Sequence, residues 1–283
     1  MENIWNFLEM WGCKITWKCL ALISRRSRSG ISCGRGSLKK NVRKDWGRRR
    51  RMGQRKEQRR PFNRDVEYWN DFYKNKFFMS EPTAFARTIL PYLKPGKKLI
   101  DVGCGNGRDS LFFYQSGINV LGIDASDVAI GQLQGKAKEG KLSFLCGDFT
   151  RQPDEAETYD YCYSRFTLHA ISQEQSDLLF QHAARILKDG GVIWIEARSV
   201  HDDLYGQGIP LGKNEFLFDG HYRRFIEKKG LKKELEKAGF SVVYMEESRD
   251  FAPFQNERPA IIRAVGVKKG NRRTGGQGNG DEI

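Results

Sequence analysis

The sequence predicts an α/β fold in which helices cover both faces of a parallel sheet, and three observations predict it. From residue 66 onward, helix-like and strand-like segments alternate, which is the pattern of βαβ units. The apolar run Leu99-Ile100-Asp101-Val102 delivers Gly103, Gly105 and Gly107 into a turn, and a helical pattern follows at once. Nineteen residues after Gly105 a second apolar run ends in Asp124, where a carboxylate can accept both hydroxyls of a ribose. With 283 residues and 39% hydrophobic content, the chain has ample material for one such domain and its core.

Each element has a local reason. Residues 66–78 and 82–93 carry apolar side chains at helical spacing, and Tyr68, Trp69, Phe72 and Tyr73 give the first an aromatic face, which core packing alone would explain. Strand 98–102 enters the glycine loop, where glycine tolerates positive φ and leaves the backbone open to a ligand. The helix opening at about Asn106 then offers unpaired N–H groups. Strand 118–123 comes next, and Asp124-Ala125-Ser126-Asp127 reads as the N-terminal cap of a helix. Strand 142–146 runs into Asp148-Phe149, which is also ordinary turn chemistry. Residues 158–163 form a fourth strand, 172–187 a helix, and 192–196 a fifth strand. Between the last two, Lys188-Asp189-Gly190-Gly191 places a glycine at the helix C′ position. A long loop, a helix over 224–238, a strand over 241–246 and a last strand over 261–267 complete the order.

The glycine spacing discriminates among ligands. A dinucleotide fingerprint, G-x-G-x-x-G, needs glycine where Arg108 stands; here the glycines recur at every second residue. With Asp101, Gly103, Gly105, Gly107, Asp124 and Asp148 in this order, the chain resembles the class I S-adenosylmethionine (SAM) dependent methyltransferases over roughly residues 66 to 268. The resemblance implies a Rossmann-like, doubly wound, mostly parallel seven-stranded sheet with an antiparallel C-terminal strand, and SAM as cofactor. It implies that Asp101, Gly103, Gly105, Asn106 and Gly107 lie against the methionine part. Asp124 and Ala125 would take the ribose, and Asp148 and Phe149 the adenine. Tyr68 would sit on a lid helix, and the segment from Ser164 to Ile171, with Arg165, would border the methyl group. The leading Tyr-Trp helix, the Glu81-Pro82-Thr83-Ala84 segment and the His-Tyr-Arg-Arg stretch look most like the tellurite-resistance and thiopurine groups, and like methyltransferase domains associated with sugar polymers. Ser164-Arg165-Phe166-Thr167 stands where base-methylating enzymes commonly carry Asn-Pro-Pro-Tyr, a departure that speaks against a nucleobase acceptor.

Candidates for catalysis cluster after the fourth and fifth strands, where ligands meet the carboxyl ends of a parallel sheet. They are Arg165 and His169, then Arg198, Asp202, Asp203 and Tyr205, then His221, Tyr222, Arg223 and Arg224. His169, Arg165 and His221 are the expected catalytic residues, since imidazole titrates near neutrality; a structural role is the simpler alternative for His169. Guanidinium forks in the His221 to Arg224 stretch match an anionic acceptor, with Arg258 joining them; solvated surface charge is the competing reading. No Cys or His spacing suits a metal, so none is expected. Cys104, Cys146 and Cys162 are expected as small buried hydrophobes, in a reducing, cytoplasmic setting.

Charge is unevenly placed. Residues 1–65 hold 19 of the 49 Lys and Arg but 5 of the 35 Asp and Glu, so the whole net charge of +14 belongs to that segment. The expected organisation is a basic extension over 1–61, a methyltransferase domain over 62–269 and a flexible tail over 270–283. The apolar start over 4–23 is interrupted by Glu9, Lys14 and Lys18, which argues against a transmembrane segment. Its positive charge follows the apolar run, the reverse of a secretory signal. The extension could touch an anionic surface or nucleic acid, and translation from Met52 would remove most of it. The expected function is methyl transfer to a small, acidic metabolite or glycan precursor, with no obligate protein partner evident. RNA methylation through the basic extension and non-catalytic SAM binding are the alternatives. A nucleotide-linked oxidoreductase is opposed by Arg108.

Overall fold

The structure, a computed structural model, describes residues 62–76, 81–153 and 155–270. The expected basic extension, the alternative start at Met52 and the expected tail beyond residue 270 lie outside the described residues. Two helices lead, α1 (Phe62–Lys76) and α2 (Ala84–Ile89), followed by β1 (Lys98–Val102), α3 (Arg108–Gln115), β2 (Asn119–Asp124), α4 (Asp127–Leu133) and β3 (Leu142–Cys146). Then come β4 (Tyr159–Arg165), α5 (Gln173–Ile186) and β5 (Leu187–Arg198). The chain closes with β6 (Ile209–Gly212), β7 (Glu215–Phe218), β8 (His221–Arg224), α6 (Lys228–Lys237), β9 (Phe240–Ser248) and β10 (Ile261–Lys268).

Seven strands form one sheet in the order β3-β2-β1-β4-β5-β10-β9. The first five run parallel, and β10 is antiparallel to both neighbours, β5 and β9. This is the Rossmann-like sheet that the alternation of elements predicts. Strands covered on both faces need continuous apolar runs, and β1 and β4 are buried along almost their whole length. One core joins Ile100, Cys162 and Ile193 of the central strands to Phe180 and Ala183 of α5 and Leu231 of α6. Two caps follow the sequence. Ser126 Oγ accepts from Ala129 N at the start of α4, and Ser172 and Gln175 form a reciprocal capping box on α5.

The structure corrects four expectations. The residues 188–191 are not a turn after a helix: Leu187 is already extended and fully buried, so α5 passes directly into β5. Gly190, at φ 75°, lies where the pairing jumps from Tyr159–Leu187 to Tyr161–Val192. The long loop after β5 contains a three-stranded antiparallel sheet, β6-β7-β8. α6 begins at Lys228 and not at 224, because His221 to Arg224 pair with β7 and Ile226 N bonds to Arg198 O. Cys146 is exposed, whereas Cys104 and Cys162 are buried. Among the described residues no helix is long and apolar enough to cross a membrane.

One buried carboxylate ties the leading helices to the sheet. Asp109, at 6% exposure, accepts from Thr83 N at 2.8 Å, Thr83 Oγ1 at 2.9 Å and Tyr163 Oη at 2.8 Å. Thr83 Oγ1 in turn caps α2 by accepting from Ala86 N. Asp109→Ala leaves these buried donors unmet at about 1–3 kcal/mol each. The expected outcome is a loss of about 3 kcal/mol or more in urea unfolding.

Candidate active site

The glycine loop is pinned to the end of β2. Gly103 N and Cys104 N both bond to Ile123 O, at 2.8 and 3.1 Å, and Gly105 N donates to Asp124 Oδ2 at 2.8 Å. Gly103 and Gly105 stand at φ 74° and 52°, and neither could carry a side chain. A Cβ on Gly103 would collide with the Thr167 hydroxyl, and one on Gly105 with the Tyr73 hydroxyl. Thr167, after β4, is itself held by a bond from Oγ1 to Val102 O at 2.7 Å. Tyr73 brings α1 down onto the loop.

Beside this cradle stands the Asp124 carboxylate, which also accepts from Ser126 N at 2.9 Å. Burial raises its pKa against the lowering effect of the Ser126 and Gly105 amides. Gly147 N bonds to Asp124 O at 2.9 Å, which sets the Asp148 loop next to it. Asp148 Oδ1 accepts from Thr150 N and Thr150 Oγ1. Phe149 is buried in the core, edge-on to His182, so packing as well as any ligand accounts for this ring. Ala125 is exposed, and Asn106 is half-buried in the glycine loop. A Cβ-free backbone flanked by one carboxylate, with a second on the adjoining loop, fits SAM, and Asp101, Gly103, Gly105, Asn106, Gly107, Asp124 and Asp148 are the residues that would hold it.

A cavity of about 200 Å³ opens beyond the loop at the carboxyl ends of β4 and β5. One wall is aromatic: Tyr68, Trp69 and Phe72 from α1, Phe166 after β4 and Phe225 after β8. The other wall is cationic and imidazole-bearing: Arg198, Arg223, Arg224, His169 and His221. The inserted sheet is fastened there by Arg224, whose Nε donates to Ile171 O at 3.0 Å and whose Nη1 donates to Gln173 Oε1 at 2.6 Å. The His221 ring stacks on Tyr68 at 4.3 Å and accepts from Arg223 Nε at 3.2 Å. Thus α1 and β8 meet across the mouth of the cavity. Phe166 holds a left-handed backbone at φ 59°, the kind of local strain that clusters at ligand sites.

Three expectations change at this point. His169 is no near-neutral imidazole: burial first, then Arg198, Arg223 and His221, hold it well below the usual range. It is therefore neutral at physiological pH, and its Nδ1 is shielded with no hydrogen-bond partner among the described residues. Arg165 is drawn to Glu196 at 2.9 Å and lies over the Phe166 ring at 4.1 Å, so it supports that ring and does not line the cavity. Arg258 is exposed and pairs with Asp250 at 3.5 Å, away from the cavity. Asp202 and Asp203 serve as partners of Arg198 and Arg249, and Tyr205 bonds to Asn214. Phe225 is a lining residue that the sequence does not single out, because the stretch His221-Tyr222-Arg223-Arg224-Phe225 breaks strand alternation at its two arginines and runs into a helical pattern. Among the described residues no group of three His, Cys, Asp or Glu side chains is placed to hold a metal ion.

A methyltransferase-domain family profile matches residues 75–245. The chain belongs to the class I SAM-dependent methyltransferases. SAM is accordingly the cofactor of this domain. A sterol 24-C-methyltransferase of Schizosaccharomyces pombe is 30% identical over 198 residues, covering 63% of this chain and 50% of that protein. The chain thus spans about half the length of that relative. In fold, it superposes on a SAM-dependent methyltransferase of Methanosarcina mazei with a TM-score of 0.57 at 19% identity, covering 64% of this chain and 97% of the other. A Burkholderia thailandensis 1,6-didemethyltoxoflavin-N1-methyltransferase, solved with its substrate and S-adenosylhomocysteine, gives 0.55 at 15% identity, covering 73% and 87%.

In this methyltransferase the Asp101 carboxyl, near the end of β1, is buried and bonded to Ser110. Burial pushes it up to about 8, although Ser110 Oγ donates to it at 2.6 Å; Asp109 and Asp124 add to the rise. A raised carboxyl favours the protonated fold, so its stabilisation is complete below the unfolded pKa of about 3.9 and is lost as pH rises through about 8. Asp101→Asn removes this titration. Urea midpoints measured between about pH 5 and pH 8 are expected to fall less steeply with pH in the variant than in the parent protein.

Proposed function

We propose that the protein transfers the methyl group of SAM to a small anionic acceptor held in the cavity beyond the glycine loop. The observation that carries this reading is the convergence of Arg198, Arg223 and Arg224 with His169 on one cavity that no Asp or Glu lines. When bound, SAM supplies an electrophilic methyl on a positively charged sulfonium. The protein's part is to orient the acceptor, and orientation alone can be worth about 7–11 kcal/mol in the best cases.

Each residue then has a task that its surroundings permit. Arg223 makes no ion pair among the described residues, so its charge is available to an acceptor anion. Arg198 is held by both oxygens of Asp202, at 3.0 and 3.1 Å, which fixes its guanidinium in the wall. His169, kept neutral, can accept a hydrogen bond at Nδ1 from an acceptor O–H or N–H. An anion bound between the guanidiniums would offset their repulsion and make that imidazole more basic. The aromatic face of α1 excludes water from the cavity mouth. His221 orients Arg223 and braces Tyr68. The free thiols Cys104, Cys146 and Cys162 favour a reducing, cytoplasmic setting. The finer placement near the tellurite-resistance and thiopurine groups rests on sequence motifs alone.

Asp124→Ala tests the cofactor half of the proposal. Loss of hydrogen bonds to a charged acceptor costs about 1.5–3 kcal/mol each. Calorimetric titration of the full chain with SAM is therefore expected to show at least about tenfold weaker binding in the variant, with the far-ultraviolet circular dichroism unchanged. Unaltered SAM affinity would refute the assignment of Asp124.

A further inference from the structure

We propose that the cavity is a binding site for a small aromatic carboxylate, its carboxylate taken by Arg223 and Arg224 and its ring held among the aromatic walls; this rests on the methyltransferase reading of the site. Size sets the first limit. A dry cavity of about 150 Å³ accommodates benzene, so about 200 Å³ leaves room for one ring and one or two small substituents. Drug-sized ligands occupy pockets of about 300–1,000 Å³, so the enclosed part of this site suits a smaller body.

Charge sets the second limit. The lining contains three arginines and no carboxylate, and the arginines are differently engaged. Arg198 is neutralised by Asp202. Arg224 is 4% exposed and gives its Nε and Nη1 to Leu168 O, Ile171 O and Gln173 Oε1, but its Nη2 is buried without a hydrogen-bond partner among the described residues. Arg223 holds only the His221 ring nitrogen and the face of Phe218, 5.0 Å away. Both residues line the cavity, and each guanidinium keeps a donor that no hydrogen bond among the described residues uses. Buried donors without acceptors are rare in folded proteins, and a planar carboxylate matches the guanidinium fork.

Shape and polarity set the third. Beside the arginines much of the lining is rings, with Tyr68, Phe72, Phe166 and Phe225 among them, and offset or edge contacts among rings favour a flat aromatic body over an aliphatic one of equal size. His169, whose Nδ1 is also buried without a hydrogen-bond partner among the described residues, lines the same cavity, and its imidazole suits a hydroxyl on the ring.

The test is calorimetric titration of the full 283-residue chain with 4-hydroxybenzoate, 4-hydroxybenzamide, cyclohexanecarboxylate and inorganic phosphate, and separately with SAM. Saturable 4-hydroxybenzoate binding, about tenfold or more tighter than each of the other three, is expected. Arg223→Gln is expected to weaken it about tenfold or more while SAM binding is unchanged. Equal affinity for the amide would overturn the recognition of charge, equal affinity for the cyclohexane acid the recognition of the ring, and tighter phosphate binding the choice of anion. Failure of every acid to bind a chain that binds SAM overturns this inference alone. A folded chain that binds neither overturns the underlying reading as well.

Discussion

The site depends on the close approach of two side chains to a backbone that has no Cβ atoms. Thr167 lies against Gly103 and Tyr73 against Gly105, and each comes from a different part of the chain: Thr167 from the loop after β4, Tyr73 from α1. Any larger residue at either glycine would push one of them away. Because Thr167 is also bonded to Val102 O and Gly105 N to Asp124, the same contacts fix the ends of β1, β2 and β4 relative to one another. The cofactor cradle and the cavity beyond it are consequently set by one packing arrangement, with α1 as its cover.

Around that arrangement one fully buried carboxylate is matched by two cations. Glu196 is 1% exposed in β5, and its register neighbours on the two adjoining strands are Arg165 and Arg263. The carboxylate receives Arg165 Nε at 2.9 Å and Arg263 Nε at 2.8 Å. Such a triad satisfies the desolvated charges mutually, whereas breaking one leaves the others uncompensated at a cost of about 3–5 kcal/mol. The consequence for function is positional: Arg165 is kept over the Phe166 ring, and Phe166 is kept in its left-handed conformation at the cavity wall. Across the cavity, Arg224 performs the corresponding task for the inserted sheet by holding the carbonyls of Leu168 and Ile171. The cationic wall is therefore built from arginines that structure the site, with Arg223 and the remaining donor of Arg224 left to a ligand.

The parts of this arrangement that are local in sequence were legible. The strand, glycine loop and helix of residues 98–115, the Ser126 and Ser172 caps, and the apolar runs of the parallel strands all follow from neighbouring residues. The inserted sheet was not legible. Its strands are only four residues long, β6 is exposed, and β8 is the polar stretch His221-Tyr222-Arg223-Arg224, whose extended form is imposed by pairing with β7. The sequence from Arg224 also leads into Leu231 and Leu235 at helical spacing, and this drew the helix start four residues too early. The state of His169 was equally hidden, because it is set by Arg198, Arg223 and His221, residues that only the fold brings near. Arg165 and Arg258 lie in the right segments for an anion site, yet each has a carboxylate partner that spacing alone does not reveal.

The measurement that tests this account most directly is a crystal structure of the full chain with S-adenosylhomocysteine. The expected result is a homocysteine part against Gly103 and Gly105, a ribose at Asp124, and a sulfur that opens onto the cavity between Phe166 and His169. A sulfur turned away from that cavity, or a ligand bound elsewhere with the glycine loop still closed beneath Tyr73, would contradict it.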